Sequence, residues 1–313
     1  MLKSRTPKAL EFVRVMPSLL CLAVLASSLA MLPVQAWSNG GFSTDPANPK
    51  YGTHDWLAHH ALDWVPDDLD FWVRDNLAIY LYGTELPDNG NAALGDGIGD
   101  TYLHHVYYRS NGDLQDDSSA RRAREAFDKA LSYLVVGDYG NAAKWLGVMT
   151  HYMSDLAVFG HVMGKPTDWG EEKHHSDYEQ WVDGRTDRYD SLFVAFLKFD
   201  GKLEQNSAYN GTLKLAHDTT FDSTGKGRTA KWMDDNYNPS DQLFQERVGE
   251  SLSLTVNLLA DVIYTLSEAA GIPEFQTPTF ILGFAILMLI VVARSGPSKR
   301  KMAKQSSPKI SRT

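Results

Sequence analysis

The sequence predicts an all-α, multi-helix bundle followed by one C-terminal transmembrane helix, and three observations carry that prediction. Apolar residues recur at helical spacing in several long windows, alternating strand patterns are absent, and the uncharged stretch Phe275 to Ala293 is followed at once by a basic tail. The 313 residues, 43% of them apolar and 22% charged, suit one or two globular domains.

The first element is an address. Lys3, Arg5, Lys8 and Arg14 precede the uncharged, Leu- and Ala-rich stretch Pro17 to Leu32, and Val34-Gln35-Ala36 offers small residues where a signal peptidase reads. Residues 1–36 are therefore expected to be a signal peptide, with Trp37 as the new amino terminus. Cys21, the only cysteine, falls inside that segment, so the remaining chain has neither a disulfide framework nor a thiolate metal site.

The middle, residues 37–272, reads as one helical domain. Short helices are expected at His54 to Trp64, at Leu69 to Leu81 and around His175 to Trp181. Ser118 to Val136 places Ala123, Phe127, Ala130, Leu131 and Leu134 on one face, after Asp116-Asp117 as possible caps and before Gly137 as a stop. Gly140 to Phe159 follows a tight connection, and Ser240 to Ala270 is a third long helix, capped by Ser240 and closed by Gly271 and Pro273. Asp88 to Asp100 and much of Asp222 to Pro239 read as loops.

At the C-terminal end, residues 273–294 are expected to cross a membrane. The nineteen uncharged residues Phe275 to Ala293, almost wholly apolar from Phe280, span roughly 28 Å at about 1.5 Å each, close to a bilayer core. Arg294, Lys299, Arg300, Lys301 and Lys304 put the tail, residues 295–313, on the cytoplasmic side. The expectation is a single-pass cell-membrane protein whose globular domain is extracytoplasmic.

Charge narrows the function. Residues 37–293 hold 19 bases against 38 acids, which argues against a protein that neutralises the phosphates of duplex nucleic acid. All ten histidines lie between His54 and His217. His151 with Asp155, and His175 with Glu179, stand four apart and so share a helical face, a two-point clamp suited to a metal bound by nitrogen and oxygen.

Trp37, Gly52-Thr53-His54, Leu86-Pro87-Asp88, His104-His105-Val106-Tyr107, His151-Tyr152-Met153-Ser154-Asp155 with His161 beyond, and His175-Ser176-Asp177-Tyr178-Glu179 occur in an order that resembles the bacterial zinc-dependent phospholipase C family. Single-strand-specific zinc nucleases belong to the same superfamily. The resemblance implies an all-α fold holding up to three Zn²⁺ ions, a phospholipid substrate and hydrolysis of a phosphodiester. It assigns Asp88, His105, His151 and Asp155 to one zinc, and His161, His175 and Glu179 to a second. The third goes to the amine and carbonyl of Trp37, to His54 and to Asp155 as a bridge. His105 and His175 are chosen over His104 and His174 by the residues that follow them. Asp88 is implied to orient or deprotonate the attacking water. A free α-amine, unlike an amide, can coordinate, which would make cleavage before Trp37 a condition of metal binding. Asn89 stands where choline-preferring members carry an aromatic residue, and Leu156 to Gly160 lacks the polar residue and proline common in the family, so the headgroup is left open.

Overall fold

A computed structural model describes Trp37, Ser43 and residues 45–89, 98–100, 102–186 and 192–272. The chain divides into two units, Met1–Ile272 and Pro273–Thr313, and every described residue belongs to the first. The expected signal peptide and the expected span at 273–294 lie outside the described residues. Among those described, no helix is long and apolar enough to cross a membrane.

Nine α-helices are described: α1 (Thr53–Leu62), α2 (Asp67–Arg74), α3 (Leu77–Glu85), α4 (Ser118–Leu134), α5 (Tyr139–Ser154), α6 (His175–Thr186), α7 (Ala208–Phe221), α8 (Ala230–Asp235) and α9 (Gln242–Ala269). The molecule is mostly helical rather than purely so. Tyr107–Tyr108 (β1) and Leu114–Asp116 (β2) form a small antiparallel hairpin between α3 and α4.

α9 is the spine of the bundle, about 42 Å long at 1.5 Å per residue. It buries Phe244, Val248, Leu252, Val256, Leu259, Ile263 and Leu266 along one stripe. Asp241, one residue beyond the expected Ser240, caps it by accepting the Phe244 amide at 2.9 Å. At its other end Gly271 takes the left-handed conformation and Ile272 N donates to Ser267 O, so the expected stop is a backbone turn. α1, α2, α5 and α7 pack against it.

α4 and α5 form an antiparallel helical hairpin, and α3 lies against α5 at backbone contact. A Cβ on Gly83 would stand 2.2 Å from the Lys144 carbonyl oxygen, and one on Gly147 would stand 2.1 Å from that of Tyr80. Only hydrogen fits on either side of this crossing. Its closeness brings the carbonyl of Thr84 within reach of the far end of α5.

The helix expected over Leu69 to Leu81 is broken at Asp75-Asn76 into α2 and α3. Gly140 to Phe159 also ends early. α5 stops at Ser154, and two 3₁₀ turns, Asp155–Ala157 and Phe159–His161, continue the chain. The stretch read as loop before Pro239 contains α8, capped by Thr229, whose hydroxyl accepts the Trp232 amide at 3.2 Å.

Candidate metal centre

Five residues from four stretches of the chain converge on one buried locus. His54 sits in the first turn of α1, Asp88 just beyond α3, His104 at the approach to β1, His151 in the last turn of α5, and Asp155 in the 3₁₀ turn after it. A short distance along the chain, the second 3₁₀ turn presents His161, and the first turns of α6 present His175 and Glu179.

Their polar atoms form three groups: His54 with His151 and Asp155, Asp88 with His104 and His151, and His161 with His175 and Glu179. In each group the atoms lie within 4.8 Å of one another. In the first, His54 Nε2 is 3.3 Å from Asp155 Oδ1, and His151 Nε2 is 3.3 Å from Asp155 Oδ2. In the second, His151 Nε2 lies 3.5 Å from Asp88 Oδ1 and 3.2 Å from His104 Nδ1. In the third, Glu179 Oε1 is 2.8 Å from His175 Nε2 and 3.5 Å from His161 Nε2.

Whether these residues fit zinc can be tested on their own atoms. His54 Nε2, Asp155 Oδ1 and His161 Nε2 are buried with no hydrogen-bond partner, although each faces an oppositely disposed donor or acceptor. Orphaned atoms of this kind are rare and costly. A tetrahedral ion with bonds of about 2.0–2.1 Å sets neighbouring ligand atoms about 3.3 Å apart, which is the spacing seen here.

The outer hydrogen bonds select the coordinating tautomer. His151 Nδ1 donates to the Thr84 carbonyl at 2.7 Å, leaving Nε2 as the lone pair that faces Asp155 and Asp88. Ser154 Oγ donates to the His151 carbonyl, so His54 Nδ1 donates to Ser154 Oγ at 2.7 Å and His54 Nε2 is likewise free. Glu172 Oε1 faces His175 Nδ1 at 3.3 Å and is the carboxylate partner on that side.

Charge is balanced at high density. Burial, with neighbouring His151, pushes His54 down to about 3. Burial acts the same way on His151, but Asp155 and Asp88 outweigh it and raise that imidazole to about 9. Burial is likewise outweighed at His175, which Glu179 and Glu172 hold at about 10. The carboxylates therefore demand positive charge, which protons or a divalent cation can supply.

His105 does not join these groups and His104 does. Residues 104–108 alternate between buried and part-exposed, so His104, Val106 and Tyr108 face inward. His105 turns outward, stacks on Tyr107 at 4.3 Å between ring centroids, and sets Nε2 3.5 Å from Asp116 Oδ1. Val106 marks the phase of this alternation. Trp37 lies fully buried, its ring edge-on to His54 at 5.9 Å and stacked on Tyr178 at 6.4 Å. Sequence reasoning did not find Thr84, Ser154 or Glu172; Glu172, three residues before His175, was the one with a spacing signal.

Comparison with the curated proteins finds no match. Among solved structures, the chain is similar to the alpha toxin from Clostridium absonum, with 17% identity and a TM-score of 0.48, covering 73% of this chain and 65% of the toxin. The alpha-toxin of Clostridium perfringens isolated from avian strain SWCP gives 14% identity and a TM-score of 0.44, covering 75% of this chain and 66% of the toxin. The chain thus spans less than two thirds of either toxin's length. The family profile for zinc dependent phospholipase C matches residues 53–238, a span that holds every residue of the three candidate metal-binding groups and more than half of the sequence. On that match the chain belongs to the zinc-dependent phospholipase C family, whose members hydrolyse phosphodiesters.

Proposed function

We propose that this protein is a membrane-tethered, extracytoplasmic phospholipase C that cleaves the glycerol-side phosphoester of a phospholipid, releasing diacylglycerol and a phosphorylated headgroup. The observation that carries the reading is the convergence of buried, orphaned His54 Nε2, Asp155 Oδ1 and His161 Nε2 with Asp88, His151 and Glu179 at the spacing zinc requires. His104 takes the place assigned to His105 in that ligand set. Zinc at these groups supplies charge to the phosphoryl oxygens and acidity to a water molecule.

The protein's own residues divide the remaining work. Asp155 is wholly buried, whereas the Asp88 side chain is 13% exposed and is the carboxylate of the two joined groups that reaches solvent. Asp88 accepts a hydrogen bond from the attacking water and aims it at phosphorus. His54, His151 and Asp155 are fixed by Ser154, Thr84 and their own burial, so they hold the centre rather than move with the substrate. The α-amine of Trp37, freed by removal of residues 1–36, completes the group around His54, which its ring already touches. Residues 273–294 anchor the domain beside its lipid substrate.

Elemental analysis beside hydrolysis assays on phospholipid vesicles and single-stranded DNA tests the reading. Up to three zinc ions per chain and turnover on lipid alone are expected. Turnover on DNA alone would replace the lipid with an oligonucleotide, and bound zinc without turnover on either would leave a metal-binding surface module. A protein carrying one extra residue before Trp37 should lose one ion; full zinc content there would remove the amine from the site.

A further inference from the structure

Asp100 touches the metal centre from behind, at three places. Its backbone amide donates to the Pro87 carbonyl at 2.9 Å, immediately before Asp88. Its carbonyl accepts from His104 Nε2 at 2.9 Å. Because a carbonyl can only accept, Nε2 keeps its proton, and Nδ1, which faces Asp155 Oδ2, His151 Nε2 and Asp88 Oδ1 at 2.8, 3.2 and 3.7 Å, is the nitrogen whose proton a metal would replace.

The Asp100 carboxylate is itself clamped. Oδ1 accepts the amides of Tyr102 and Leu103 at 3.2 and 2.9 Å, closing the turn that leads to His104. Oδ2 accepts the hydroxyl of Tyr152, the residue after His151, and lies 3.3 Å from Arg122 Nε on α4. Arg122 Nη2 also donates to the Tyr152 hydroxyl at 3.3 Å, and the guanidinium lies 5.2 Å over the Tyr152 ring. Asp100 is thus bonded to the segment carrying Asp88, to His104 itself, and to the neighbour of His151.

We propose that Asp100, held by Tyr152 and Arg122, is the positioning residue of the Asp88, His104 and His151 group: it fixes the tautomer and rotation of His104 and thereby sets the affinity of that group for its metal. Asp100 is not a ligand in this arrangement. Its carboxylate faces α4 and α5 and, through Oδ1, lies 3.4 Å from His104 Nε2, on the side of the ring away from Asp88, His151 and Asp155. The inference rests on the metal reading of the preceding section.

Asp100→Asn keeps an acceptor for the two amides and sets an amide NH₂ against Arg122. Tyr152→Phe removes one hydroxyl and nothing else. Both proteins, with wild type, are loaded with zinc and titrated against a graded chelator while bound ions are counted. An orienting partner lost from a metal-bound histidine typically weakens binding by about 10–100-fold. The expected result is a loss of that size at one class of ion, while ions held by His161, His175 and Glu179 stay bound and the metal-free proteins melt as wild type does. ¹⁵N shifts of the loaded proteins should show His104 protonated on Nε2 in wild type and a mixture of tautomers in Asp100→Asn. Arg122→Lys, which keeps the charge but not the fork, should fall between wild type and Arg122→Ala. Unchanged affinity in both Asp100→Asn and Tyr152→Phe overturns the inference alone. So does an equal loss at every ion, since that marks a general structural role. A wild type that takes up no zinc overturns the metal centre together with this inference.

Discussion

Gly160 owes its place to the ring of His175. A Cβ there would lie 2.5 Å from His175 Cγ and 2.6 Å from Nδ1, distances no side chain tolerates. Gly160→Ala should therefore swing His175 off Glu179 and deplete the single ion of that group, with helical circular dichroism retained; unchanged zinc content would show that the ring can move without cost. A second expectation concerns protons. His151 and His175 titrate near 9 and 10 without metal, so at pH 7 each carries a proton that zinc must displace. Calorimetric loading of metal-free protein in buffers of different ionisation enthalpy should register at least two protons released at neutral pH, since Asp100 and Asp155 hold His104 protonated as well, and affinity should rise with pH until about 9–10. The sign is opposite for the metal-free fold. A histidine raised from 6.5 adds stability that is complete below 6.5 and vanishes as pH climbs through 9–10, so the metal-free protein should melt lower at pH 10 than at pH 7. At this scale most of the site was legible, because His151, Asp155, His161, His175 and Glu179 sit close in sequence with regular spacing. His104 was not, since two adjacent histidines offer the same chemistry and only the extended backbone ahead of β1 decides which turns inward.

The crossing of α3 and α5 is where an element, rather than a side chain, sets the site. Gly83 and Gly147 let the helices meet at backbone contact, and the next residue after Gly83 supplies the carbonyl that orients His151. Alanine is the better helix former by about 1 kcal/mol, yet here its methyl would meet a carbonyl oxygen at 2.1 Å. Overpacking against backbone typically costs about 1–3 kcal/mol. Gly147→Ala should thus be net destabilising, lower the thermal midpoint by several degrees and weaken zinc binding, because Thr84 withdraws from His151. A midpoint at or above wild type would mean that the helices part freely. Long helices were readable from their apolar spacing, α4 and α9 above all, with ends misjudged by a residue or two where Asp241 rather than Ser240 caps. The 3₁₀ turns after α5 left no such mark. Their backbone is fixed by tertiary bonds, among them Thr219 Oγ1 to Leu156 O at 2.6 Å and Val106 N to His161 O at 3.2 Å, which no local pattern encodes. α7 passed unread because Gly211 and its threonines make a weak helical signal, although Ser207 caps it.

At the scale of the whole molecule, the division at Ile272 predicts that the first unit is self-sufficient. A chain ending at Ile272 retains α9 entire and every residue of the three metal-binding groups. It should bind as much zinc as the full chain and hydrolyse short-chain soluble substrate equally well, while losing ground on vesicles, where the proposed anchor would raise the effective concentration at the surface. Loss of zinc in that folded, shortened protein would make residues 273–313 part of the catalytic unit. The gathering of the site from distant segments has a further consequence. His54 and Ser154, which share a hydrogen bond, stand 100 positions apart, and Cys21 is the only cysteine, so no disulfide ties these segments. Bound ions would act as the cross-links of this chain, closing loops whose entropy disulfide-rich proteins suppress with cystine. Free zinc at a thousandfold its dissociation constant stabilises a fold by about 4 kcal/mol per ion. Stability then becomes a function of the surrounding zinc supply, and a chelator should make the domain protease-sensitive at a temperature where the loaded protein resists digestion.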